Sequence, residues 1–488
     1  MPLILNGITC QPSIFGFTCI LMTSSSLEPL ECRIAPATLL SATTFTYTDV
    51  DGDNVRVAFS KPILTTANFD SLVNLDGGLA GTGPQDLIGL DLFDLGPSAN
   101  GLNITIVANP SPSLGGDGLV AGVYIDAFNY DELEEEITGI DLGTVKIDGD
   151  LTRIDVGDAD FNTPALKNLI VKSVGLIEPG ALSDIFGPVG NVRVAGDFAG
   201  YFFASSDNLL VDDFKLINIR GSILGNLGED AGRIFAGAGI GTIIVGRDVI
   251  GGSFAETGSV RSIGPIGKVI INGSLIGGDG DDTGRIRALE MNTVALRGSL
   301  IGGYGHGSGV IETYYGNINL VTILGSVLGG LGDGAATIQT GSGMAGDGSL
   351  KNVFIKGSVI GLLPESGVHA LAATIRADNS IGKLTILGAL VNANIVAGVE
   401  AGEDGIYATS DDTLTEGFVD AQRRLGPVFI KGGVYATTAG FGITAETIAS
   451  IQAGGPILRP GGPFADFDAG FLLGGGAGIR VMRFQSPG

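Results

Sequence analysis

From about residue 138 onward the chain repeats short apolar–polar alternations, each closed by a Gly-Ser step. Val269-Ile270-Ile271 leads into Gly273-Ser274-Leu275-Ile276-Gly277, and Val294-Ala295-Leu296 leads into Gly298-Ser299-Leu300-Ile301-Gly302. The same pentad closes the units at Gly221–Gly225, Gly325–Gly329 and Gly357–Gly361, with degenerate copies starting at Gly149, Gly196, Arg247, Gly388 and Gly432. From Gly196 the copies lie 25, 26, 26, 25, 27, 32, 31 and 44 residues apart, so the later units carry inserted loops. The 47 residues between Gly149 and Gly196 fit two units, with Ser173-Val174 at the middle.

A unit of this length holds about three short strands and Gly-rich corners. Helical repeats need roughly 33 residues and helix formers, and propeller blades need roughly 40 to 45. These units are too short for either and are rich in β-branched residues. One coil cannot bury its apolar side alone, but stacked coils bury theirs in ladders and pair their backbones above and below. A parallel, right-handed β-helix over residues 138–488 is therefore expected. With ~4.8 Å between strands, about a dozen coils would make a rod on the order of 60 Å long.

Ahead of it, residues 41–137 read as a small β domain, either a cap or sandwich-like. Thr44-Phe45-Thr46-Tyr47-Thr48 and Val55-Arg56-Val57-Ala58-Phe59 alternate on either side of an Asp-Gly turn, which predicts a hairpin. Residues 1–40 lack clear periodicity and are expected to be a leader. Ser13 to Met22 is its most apolar stretch, a signal-peptide core lacking a preceding basic residue. Cys10, Cys19 and Cys32 all fall in this leader, so no disulfide framework holds the main body.

Composition narrows the class. The 488 residues include 82 Gly, 44% hydrophobic residues and no Trp; the aliphatic content argues against disorder. Against 52 acidic residues stand 27 basic ones, a net charge of -25 that disfavours nucleic acid and anionic membranes. No segment approaches the ~18 apolar residues of a transmembrane helix.

Candidate chemistry is sparse. Asp49, Asp51 and Asp53 present three carboxylates around one turn, a donor set suited to Ca²⁺, which takes oxygen ligands. Asp404, Asp411 and Asp412 form a second acidic cluster within the longest insertion, which resembles the Asp-Gly-rich calcium loops of bacterial extracellular proteins. A plain polar turn is the alternative for both. His306 and His369 are the only histidines, and neither a Gly-x-Ser-x-Gly elbow nor a His/Cys metal spacing occurs.

Asp281-Asp282 and Gly305-His306-Gly307 lie about one coil apart and distantly resemble the Asp-Asp and Gly-His-Gly motifs of polygalacturonases. That resemblance implies paired carboxylates at Asp281 and Asp282 for acid–base work on a glycosidic bond. The family's Asn-Thr-Asp and Arg-Ile-Lys motifs do not occur at fitting places, and the plain alternative is an acidic corner beside a surface His. Tyr304, Tyr314 and Tyr315 are the aromatic residues clustered in the repeats, either a saccharide platform or strand cover.

Leu27-Glu28-Pro29-Leu30-Glu31-Cys32-Arg33, followed by Leu39-Leu40-Ser41, resembles the N-terminal sorting segment of planctomycete-type surface proteins. The Gly-rich repeats and the Thr48-Asp49-Val50-Asp51-Gly52-Asp53 turn resemble the strand-repeat proteins of the same bacteria. The resemblance implies an extracellular or surface location and supplies no activity. The expectation is a non-enzymatic structural or adhesive solenoid, stabilised by calcium, with polysaccharide or other surface proteins as partners. The alternative is a polysaccharide-degrading β-helix enzyme. The strand-like Gly478–Phe484 segment, with nothing obvious to cap it, adds the expectation of self-association.

Overall fold

A computed structural model describes residues 4–5, 8–13, 16–20 and 37–458, the last span excepting 82, 112–114, 132–135, 159, 161, 206–211, 342–347, 363–372, 403–406, 408–412, 416–422 and 437–440. The main body is a parallel β-helix with three strands per coil. In one coil these are Ile266–Ile271, Leu275–Ile276 and Arg285–Ala288, one on each of three faces. The first face is a sheet of six-residue strands, the second of two-residue strands, and the third of four-residue strands.

Stacking fixes the interior. Ile240, Ile266, Met291, Ile318, Leu350 and Ile381 pair in register on the first face, and all are buried. On the third face Ile234, Val260, Ile286, Ile311, Ile338 and Ile375 do the same. The pentads supply the second face. From Phe198 through Ile223, Val249, Leu275, Leu300, Val327, Val359 and Leu390 to Val434, register advances by 25, 26, 26, 25, 27, 32, 31 and 44 residues. These are the intervals of the sequence repeat. Ser173 and Val174 fill the intermediate coil, paired with Asp150 and Leu151.

The Gly-Ser step has a packing cause. Ser274 Oγ accepts the N–H of Ser299 at 3.0 Å, Ser299 Oγ that of Ser326 at 3.0 Å, and Ser326 Oγ that of Ser358 at 3.1 Å. Each serine thus satisfies an amide of the next coil at a corner where the strand ladder is interrupted. The glycine before the receiving residue leaves room for that hydroxyl: a Cβ on Gly325 would lie 2.3 Å from Ser299 Oγ and 2.5 Å from the Gly298 carbonyl oxygen. Gly325→Ala is expected to lower stability by about 1–3 kcal/mol, the range for overpacking. Urea unfolding of the variant measures it; an unchanged midpoint would remove this account of the motif.

Strand pairing runs across residue 138. Leu102–Asn109 pairs in parallel with Leu142–Ile147, so the first coil of the solenoid includes residues assigned to the small β domain. The expected hairpin, Thr44–Thr48 with Asn54–Phe59, lies antiparallel against Leu102–Asn109 and covers that end of the first-face sheet. Phe45 packs edge-on against Phe69 and beside Phe59, giving this end an aromatic core. The leader contains Ile4–Leu5, Ile8–Ser13 and Gly16–Ile20 as an antiparallel three-stranded sheet; Leu27–Arg33 and Gly478–Phe484 lie outside the described residues. Among the described residues no helix is long and apolar enough to cross a membrane.

Candidate functional site

The corner between the second and third faces holds the acidic residues singled out above. Asp281 and His306 do stack on adjacent coils, but Asp281 Oδ1 accepts the His306 backbone N–H at 2.8 Å. That carboxylate serves the corner itself. Asp282 turns differently: at φ 59° its backbone is left-handed, and its carboxylate pairs with Arg285. His306 is two-thirds exposed, its Nε2 4.0 Å from Asp333 Oδ2. Asp282, His306 and Asp333 line one cavity of about 150 Å³. Of the expected trio, then, two members share a cavity and Asp281 is engaged in backbone bonding.

The larger arrangement on this face consists of arginines. Outward positions of the third face carry Phe235, Arg261, Arg287, Glu312, Gln339 and Arg376 in one register ladder, with Arg233 and Arg285 two residues earlier in their strands. Arg233 pairs with Asp230 and Glu256 and lies over the Tyr201 ring at 4.5 Å. Glu256 reaches Arg261 at 3.4 Å, and Arg261 Nε donates to the Tyr314 hydroxyl at 2.8 Å. The Arg287 guanidinium sits 3.7 Å from the Tyr314 ring centroid. Glu312, fully buried, holds Arg285 and Arg287 together and accepts the Gln339 amide at 2.8 Å. Its 2.8 Å contact with Arg287 Nε lacks hydrogen-bond alignment and is an ion pair. Burial pushes Arg287 below the usual guanidinium range, and the Glu312 charge opposes that shift.

Sequence reading passed over these residues, apart from Tyr314, which it weighed as a saccharide platform. The available signal was Arg233-Ile234-Phe235-Ala236, Arg285-Ile286-Arg287-Ala288 and Thr374-Ile375-Arg376-Ala377 recurring at the same place in the coil. Tyr304 and Tyr315 are exposed and take no part in the network as described.

The second site is the N-terminal turn. Asp49 is buried and its Oδ1 accepts the N–H groups of Gly52 and Asp53 at 3.0 and 2.6 Å. Asp53 is fully buried; Oδ2 accepts the Gly118 N–H at 2.6 Å, while Oδ1 has no partner among the described residues. Asp51 is exposed, and one carboxylate oxygen from each of the three lies within 4.8 Å of the others. Burial, and then the hydrogen bond to Asp51, raise Asp49 well above the usual carboxylate range. An orphaned buried oxygen beside two crowded carboxylates fits a hard cation that takes oxygen ligands. Asp404, Asp411 and Asp412 lie outside the described residues, between the paired strands Val399–Glu400 and Thr413–Leu414.

Comparison with protein-family models, with curated proteins and with solved structures yields no match.

Proposed function

We propose that this chain is a non-enzymatic structural or adhesive rod of an extracellular or surface layer, of the strand-repeat kind its sequence resembles. The observation carrying this reading is how the repeated polar groups are used. Pentad serines cap the next coil, Asp281 caps His306, and Asp282 pairs with Arg285. The serine and Asp281 bonds tie neighbouring coils into a stiff stack, and Asp282 is engaged within its own coil. The test is incubation of the purified chain with a polysaccharide panel, together with protease shaving of intact cells that express it. Undiminished polymer length and removal of the chain by shaving are expected. Cleavage abolished by Asp282→Asn would replace this reading with the enzymatic one.

Calcium at Asp49, Asp51 and Asp53 completes the proposal, since the turn closes the hairpin that covers the end of the first-face sheet. Adding CaCl₂ to the EDTA-treated chain is expected to raise its unfolding midpoint. At a hundredfold excess over Kd the gain is about 2.7 kcal/mol. Asp53→Asn should abolish the gain; the same rise in that variant would place the ion elsewhere.

A further inference from the structure

Two cavities lie side by side on the outer third face, and Asp282 and Arg285 line both. The narrower reaches back past Arg261 and Phe235, the larger forward to Gln339 and Arg376, so together they follow successive coils along the rod. At roughly 30 Å³ of liquid per water, the larger cavity, at about 150 Å³, holds on the order of five waters. That space suits one sugar ring, and the coil repeat of ~4.8 Å is close to the advance of one sugar along an extended chain.

The wall of the larger cavity offers both acceptors and donors. Asp282 and Asp333 accept, Arg285 and Arg376 donate, and Thr337 and Gln339 do both. His306 and Tyr407 add two rings. Vicinal hydroxyls, each a donor and an acceptor, match such a wall.

Charge decides between classes of glycan. Arg285 is paired with Asp282 and Glu312, Arg376 with Asp378, and the chain as a whole carries -25. Among the described residues a polyanion would find no uncompensated cation there, and it would be repelled at long range.

We infer that the larger cavity binds one ring of an uncharged polysaccharide whose chain runs along the third face. This inference rests on the adhesive reading above and gives it a ligand class. Affinity electrophoresis of the full chain, in gels containing dextran, xylan or hydroxyethyl cellulose with polygalacturonate in parallel, tests it. At least one neutral polymer should retard the chain, to nearly the same extent at low and high salt. His306→Ala and Asp333→Ala, both at exposed side chains, should each weaken retardation about tenfold while leaving the thermal midpoint unchanged. Unaltered migration in every neutral gel would overturn the site and leave the structural reading standing. So would retardation confined to polygalacturonate and erased by salt. Retardation accompanied by shortening of the polymer would keep the site and overturn the non-enzymatic reading instead.

Discussion

Glu312→Gln is expected to destabilise the solenoid by about 3 kcal/mol, the largest single-residue effect among the polar groups described here. The Glu312 side chain has no solvent exposure, and Arg285 and Arg287 retain only 13% and 21% of theirs. Glutamine keeps the shape and the link to Gln339 but removes the charge that offsets two desolvated guanidinium groups. Arg285 would retain Asp282, whereas among the described residues Arg287 would keep the Tyr314 face alone. Replacing a buried ionic group entirely by apolar residues is often neutral, so the triple change Glu312→Leu, Arg285→Met and Arg287→Leu should recover most of the loss. Urea unfolding of the single and triple variants makes the comparison. A single variant as stable as the parent would mean that water reaches the guanidiniums, contrary to the burial described. A triple variant no better than the single one would mean that packing, not charge, sets the cost.

Residue spacing made the stack legible. A pentad repeated at fixed intervals says which residues lie above one another, and the pairing from Phe198 to Val434 keeps those same intervals. It also exposed the alternation that buries Val269 and Ile271 while leaving Ile270 half-buried. The Arg network was harder to read because an outward residue on an alternating strand looks solvated. Glu312, in Val310–Thr313, occupies such an outward position, yet the structure buries it completely. Asp281 and Asp282 show a different limit. Adjacent in sequence, they separate because Asp282 adopts a left-handed φ, sending one carboxylate to a backbone amide and the other to Arg285. The strand pairing across residue 138 was hidden for a related reason: Leu102–Asn109 lacks the Gly-Ser step, although its backbone already pairs as part of the solenoid.

Stability should rise as pH falls from about 7.5 to 5. Burial, the largest cause at each, holds Asp141, Asp155 and Asp378 up at about 6, above the 3.8 of a free side chain. Asp141 faces Thr163, Asp158, Asp160 and Lys167. Asp155 faces the Asp184 N–H and Arg153, with the Asp126 and Asp184 carboxylates nearby, and Asp378 faces Arg376 and Glu400. Asp91, Asp126 and Asp184 are also raised, chiefly by burial. A group with a folded pKa above its unfolded one binds more protons in the native state. Its contribution is fully present below pH 3.8 and is lost as pH rises through about 6. Three such groups acting together give a difference of a few kcal/mol once partial exposure is allowed for. Thermal midpoints measured in calcium-free buffer should therefore be several degrees higher at pH 5 than at pH 7.5, with Asp155→Asn flattening part of the slope. A midpoint that falls on acidification would mean that these carboxylates ionise in the folded state as readily as in water, and that the ion pairs of the Arg face govern the pH response instead.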